Sequence, residues 1–183
     1  MKVIETKLAG ALVFEPNIFG DDRGFFMETW NYQRYKDSGL DVKFIQSNLS
    51  KSAKGVLRGL HFQQPNPQGK LVQILTGEVF DVAVDVRQGS PTFGQWHGEI
   101  LSGNNKKQFY IPEGFAHGFC VLSESAIFSY MCTNIYDVSA ENSLLWNDPK
   151  IAIDWPIDNP ILSEKDKNAI TLDKINPSKL PKY

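Results

Sequence analysis

Turn-forming clusters recur at short intervals along this chain: FGDDRG, NPQG, TG, RQGSP, SGNNK and PEG. The segments they punctuate read as strands, and helix signals are sparse. The intervening segments are rich in Val, Ile, Phe and Tyr and alternate apolar with polar residues, the period of a half-buried strand. Strands are expected at 11–16, 24–29, 44–50, 56–62, 70–75, 78–87, 95–101, 107–112, 117–122 and 127–133. Their number and spacing predict a mainly all-β fold, a sandwich or barrel rather than a parallel sheet with crossover helices. Two helices are expected, at 30–39, closed by Gly39, and at 163–169, opened by a Ser163-x-x-Asp166 capping pattern. No repeat, low-complexity tract or linker interrupts 1–183, so one domain is expected, with 171–183 as a loose tail or a strap on a neighbour.

With 183 residues, 42% of them hydrophobic and 22% charged, the chain can bury a sizeable core and lacks the composition of a disordered one. A net charge of −2 gives no broad attraction to nucleic acid. Cys120 and Cys132 lie in the apolar runs FCVL and MCTN, which reads as two buried free thiols in a reducing compartment rather than a disulfide framework. The start, MKVIETKLAG, is broken by Glu5 and Lys7 and has no signal-peptide core. No apolar run reaches the roughly 18–20 residues of a membrane helix. A cytoplasmic protein is expected, without nucleic-acid or membrane partners.

The segment GVLRGLHFQQPNPQGK places Arg58, His61 and Lys70 among apolar residues and amides. Strict alternation sends Arg58 and His61 to opposite faces; a bulge at Gly59 would bring both inward. In EVFDVAVDVR the phase separates Phe80, Val82, Val84 and Val86 from Asp81, Ala83, Asp85 and Arg87, so Asp81 faces either a barrel interior or solvent. Further on, Pro112-Glu113-Gly114-Phe115-Ala116-His117 matches the P-x-G-x-x-H pattern of the second motif of cupins, small jelly-roll barrels. The first cupin motif, His-x-His followed by an acidic residue, reads here as His61-Phe62-Gln63, with Lys70 beyond. An amide and an ammonium are poor ligands for a divalent ion. The fold signal therefore survives and the metal signal fails.

FGDDRGFFMETW (19–30), QSNLSKSAKGVLRGLHFQ (46–63), QGKLVQILTGEVFDVAVDVRQGSPTFGQW (68–96), IPEGFAHGF (111–119), WNDPKIAIDWP (146–156) and LSEKD (162–166) resemble the dTDP-4-dehydrorhamnose 3,5-epimerase family over roughly residues 3–170. The resemblance implies a cupin-type jelly roll and a cofactor-independent isomerase. It implies inversion of C3 and C5 of dTDP-4-keto-6-deoxy-D-glucose, giving dTDP-4-keto-L-rhamnose. It also implies a homodimer in which each subunit completes the other's site.

Such chemistry needs a base, a stabiliser for the enolate oxygen and a proton donor on the other face of the sugar. By resemblance His61 is the base, Asp166 its partner, Lys70 the neighbour of the C4 oxygen and Tyr130 the acid at C5. On its own, His61 reads as a hydrogen-bonded core histidine, and only the nearby Arg58 and Lys70 reverse that. Taken singly, Asp166 reads as a helix cap, Tyr130 as a packed strand aromatic and Lys70 as a turn-flanking surface residue. The resemblance also implies that Arg58 holds the diphosphate, joined by Phe19, Arg23 and Glu28 of the partner subunit. By the same resemblance Gln46, Asn48, His117, Glu141 and Lys165 would supply further substrate contacts, and Tyr136 would stack on the base. The simpler readings are a charged turn for Arg23, a solvated loop residue for Glu141 and a core residue for His117, with Asp81 to orient it.

Three rivals compete. A mono-epimerase or 3,4-ketoisomerase would use the same barrel; the joint presence of His61, Asp166 and Tyr130 favours two centres. A metal-dependent cupin oxygenase is disfavoured by Gln63. A non-catalytic sugar-nucleotide-binding module is disfavoured by the full acid–base set.

Overall fold

The structure is a computed structural model that describes residues 1–183. Two antiparallel sheets face each other. The first has the order β1 (Lys2–Glu5), β2 (Leu12–Glu15), β10 (Gln108–Ile111), β7 (Lys70–Thr76), β12 (Ser125–Cys132), β5 (Gln46–Ala53). The second has the order β13 (Glu141–Ser143), β6 (Leu57–Gln63), β11 (Phe115–Val121), β8 (Glu78–Asp85), β9 (Trp96–Ser102). A separate hairpin joins β3 (Ile18–Asp21) to β4 (Gly24–Met27). This is the expected jelly roll, and each of the ten expected strands is present with its ends displaced by three residues or fewer. β1, β3 and β13 were not foreseen. Two short helices occur where expected, α1 (Tyr32–Asp37) and α2 (Glu164–Lys167). No helix is long and apolar enough to cross a membrane.

Alternation along β8 separates two cores. Val79 and Ala83 face the barrel interior with Val72, Phe109, Phe115 and Phe128. Val82 and Val84 face outward, yet they are also sealed from solvent, because Trp155, Leu172, Ile175 and Leu180 cover that face of the second sheet. Burying each such aliphatic or aromatic side chain contributes about 1.5–3 kcal/mol. A third cluster packs α1, through Tyr35, on the outer face of the first sheet. Cys120 and Cys132 are both buried and free.

The expectation of a loose tail at 171–183 is corrected. Leu172, Ile175 and Leu180 are each no more than 9% exposed. Gln88 exchanges backbone hydrogen bonds with the last residues, accepting from Tyr183 N and donating to Pro181 O. Three apolar side chains in an otherwise polar stretch are enough to dock it on the second sheet.

Candidate active site

One local irregularity builds the site. Between β6 and β11 the register runs Leu57–Cys120 and Arg58–Phe119, then His61–His117. Gly59 and Leu60 together face Gly118 alone, the two-against-one count of a β-bulge. The bulge cancels the alternation that would separate Arg58 from His61, and both line one cavity of about 600 Å³. Glycine is required at 59: its φ is +120°, and a Cβ there would stand 2.6 Å from Gly118 Cα and 2.8 Å from His117 O.

His61 enters the cavity from the second sheet, and Lys70 and Tyr130 enter from the first. His61 Nε2 lies 2.6 Å from Asp166 Oδ1, and Asp166 is 2% exposed. The capping question is settled by atoms: Ser163 Oγ caps α2 by accepting from Asp166 N, which leaves the Asp166 carboxylate free to hold His61. Burial opposes the charge on Asp166, but hydrogen bonding and the charge of His61 outweigh it and hold the carboxyl below its usual range. His117 Nε2 lies 3.0 Å from both carboxylate oxygens of Asp81, which is sealed from solvent inside the barrel. His61 and His117 thus stand opposite each other on the neighbouring strands β6 and β11, each held by its own carboxylate.

Burial pulls the Lys70 ammonium below the ordinary lysine value, and the carboxylates of Asp81 and Glu141 only partly oppose it. Burial raises the Tyr130 phenol, so its proton is held more tightly than in water; the charge of Arg58 works the other way. Arg58 donates through Nε to Ser52 Oγ at 3.0 Å. Lys165 sits beside Asp166 at the cavity wall and pairs with Glu141 at 2.9 Å.

An adjoining cavity of about 340 Å³ shares His61, Lys70 and Tyr130 and is lined by Gln46, Asn48, Tyr136 and Glu141. Tyr136 donates its hydroxyl to Glu141 at 3.1 Å and its backbone N–H to Gln46 Oε1 at 2.8 Å. Gln63 turns its amide to backbone groups of neighbouring loops, including Ile135 O and Asp137 N. Nowhere do three His, Cys, Asp or Glu side chains gather as a metal site would need.

Phe19, Arg23 and Glu28 lie away from both cavities. Arg23 pairs with Asp21 at 2.6 Å on the tip of the β3–β4 hairpin, and Glu28 pairs with Arg34 at 3.2 Å. The hairpin exposes Ile18, Phe19, Phe25 and Phe26, each between 46% and 68%. The sequence reading missed Ser52 and Ser50. The alternation of QSNLSKS carried the signal, since it turns Gln46, Asn48, Ser50 and Ser52 to one face of β5.

A model of the dTDP-4-dehydrorhamnose 3,5-epimerase family matches residues 5–174. The chain is 56% identical over 170 residues to the dTDP-4-dehydrorhamnose 3,5-epimerase of Shigella flexneri, covering 92% of this chain and 94% of that protein. It superposes with TM-score 0.97, at 53% identity, on the Legionella pneumophila dTDP-6-deoxy-D-glucose-3,5-epimerase solved with dTDP-4-keto-L-rhamnose, over 100% of this chain and 98% of that one. It is also similar to a Streptomyces bikiniensis 3'-monoepimerase solved with dTDP after replacement of a histidine and a tyrosine: 33% identity, TM-score 0.91, 98% of this chain and 92% of that one. With the family match spanning nearly its whole length, this chain belongs to the dTDP-4-dehydrorhamnose 3,5-epimerase family.

Proposed function

We propose that His61, held by Asp166, and Tyr130, facing it across the cavity, are the base and the acid of this isomerase, with Lys70 beside the substrate's C4 oxygen. The enzyme inverts C3 and C5 of dTDP-4-keto-6-deoxy-D-glucose to give dTDP-4-keto-L-rhamnose. The C4 ketone acidifies the hydrogens on both flanking carbons. His61 takes one as a proton, the C–H electron pair moves into the ring, and the C4 oxygen becomes an enolate. A cationic Lys70 lowers the energy of that oxyanion in a partly desolvated site. A proton returned to the opposite face completes the inversion, at C5 from Tyr130, and His61 and Tyr130 regain their starting protonation by exchange with solvent. No cofactor enters this scheme.

The observation that carries the assignment is the 2.6 Å contact between half-buried His61 and buried Asp166 in a cavity that Tyr130 and Lys70 enter from the facing sheet. A histidine with a tyrosine does not by itself count centres, because the Streptomyces monoepimerase also carried a histidine and a tyrosine to be replaced. Inversion of two centres rests on the family instead.

In this reading the diphosphate lies along Arg58 and Lys165, His117 contacts the sugar, and the base stacks on Tyr136 with Gln46, Asn48 and Glu141 around it. The enzyme is a homodimer in which the exposed β3–β4 hairpin reaches the partner's cavity with Phe19, Arg23 and Glu28. A contiguous apolar patch of that kind favours a docked partner. Two buried free thiols fit a cytoplasmic location.

The test incubates chelator-treated protein with dTDP-4-keto-6-deoxyglucose in D₂O and follows each carbon by NMR. Deuterium is expected at C3 and C5, lost in His61→Ala, with inversion at C5 lost in Tyr130→Phe. Exchange that needs added metal, or exchange that survives in His61→Ala, would overturn the mechanism.

A further inference from the structure

Gln63 stands where the cupin metal motif carries its second histidine, and its side chain has other work. The residue is 6% exposed at the end of β6. Its Nε2 donates to Asn66 O at 2.5 Å and to Ile135 O at 3.1 Å, and its Oε1 accepts from Asp137 N at 2.9 Å. The orientation of the amide is unambiguous, since both nitrogen contacts are carbonyl oxygens and the oxygen contact is an N–H. Asn66 belongs to the loop that runs into Lys70. Ile135 and Asp137 are the two neighbours of Tyr136 in the chain, so one side chain grips the backbone on either side of that ring.

We infer that Gln63 is a positioning residue that fixes the Tyr136 ring as a rigid platform for the nucleotide base. The inference rests on the placement of the base against Tyr136 given above. Tyr136 is half exposed, at 51%, and its own side chain makes one hydrogen bond, to Glu141. Its loop therefore depends on backbone anchors. A ring already held at the stacking angle does not pay the ordering entropy at binding, which is how preorganisation raises affinity. Loss of the grip acts on nucleotide affinity and leaves His61, Asp166 and Tyr130 on their strands and helix.

The experiment is a double-mutant cycle. dTDP affinity is measured by titration calorimetry, with kcat and KM, for wild type, Gln63→Met, Tyr136→Ala and the double variant. Methionine preserves volume and removes all three hydrogen bonds. Tyr136→Ala is expected to weaken dTDP about tenfold or more. Gln63→Met is expected to raise the dTDP Kd and KM by about tenfold, to leave kcat within about twofold, and to add less than about twofold in the Tyr136→Ala background. Gln63→Glu, which turns an acceptor toward two carbonyl oxygens, is expected to be no better than Gln63→Met. If the two substitutions multiply, or if kcat falls as far as KM rises, Gln63 is a general structural residue and the inference fails. If Tyr136→Ala leaves dTDP affinity unchanged, the placement of the base fails first and the inference falls with it.

Discussion

Replacing Asp166 by Asn keeps the size of the side chain and the cap that Ser163 gives to α2, and removes only the charge that faces His61. The carboxylate oxygen lies 2.6 Å from Nε2. Once His61 has taken a proton, the two charge centres are about 4 Å apart, and at an effective dielectric of about 20 they attract by about 4 kcal/mol. The Asn amide retains a dipole at the same place, so a loss of about 3 kcal/mol is expected from the transition state. That is about 10²-fold in kcat, at the low end of what one acid or base supplies. The assay is the D₂O exchange rate at C3 and C5 under saturating substrate. Ser163→Ala is the companion variant: it removes the helix cap at a cost of about 1 kcal/mol in stability and leaves the carboxylate in place, so exchange is expected within about fivefold of wild type. Asp166→Asn exchanging within fivefold of wild type, or Ser163→Ala losing as much activity as Asp166→Asn, would refute the electrostatic role.

Gly59→Ala forces a side chain against Gly118 Cα and His117 O and into a left-handed backbone region; a loss of about 3 kcal/mol or more is expected, with a melting temperature lower by about 6–12 °C and little residual exchange. Asp85 is sealed from solvent; burial opposes its charge, but hydrogen bonds from Arg87, Ser90 and Thr92 hold its pKa below the ordinary 3.8. A depressed folded pKa gives stability that is present above the unfolded value and lost as pH falls through the folded one. Urea melts of Asp85→Asn should therefore show a deficit at pH 7 that closes below about pH 4, and a gap that widens in acid would count against the assignment. Leu180→Ala empties a 7%-exposed site beneath the C-terminal segment and should cost about 2–5 kcal/mol; a cost under 0.5 kcal/mol in chemical denaturation, roughly the size of an ordinary surface substitution, would restore the loose-tail reading.

The strands that the sequence made legible carry their own period: EVFDVAVDVR alternates wherever it is placed. The three that were missed do not. Ile18–Asp21 contains the glycine and aspartate of a turn, and Glu141–Ser143 is three polar residues made a strand only by pairing with β6. The C-terminal segment was misread for the same reason, because its apolar residues are few and their partners lie far away in the chain. In the site, His61, Arg58 and Lys70 stood out as charge in an apolar setting, whereas the bulge that makes neighbours of Arg58 and His61 depends on what Gly118 allows. Asp81 was undecided by alternation alone, since both faces of β8 are buried. Asp166 was ambiguous because one short motif can serve both as a cap and as a partner for a histidine, and only the folded geometry separates the two uses.

His61 and Asp166 are 105 residues apart in the chain. The barrel strands, Arg58, Lys70 and Tyr130 all precede the segment that carries the carboxylate and Lys165. A chain ending before 161 would lose five of the residues that line the cavity, Lys165 and Asp166 among them, and His61 would lose the carboxylate it contacts. The cavity would therefore be complete only once the last fifth of the polypeptide has arrived and docked, so that completing the site reports completion of the fold.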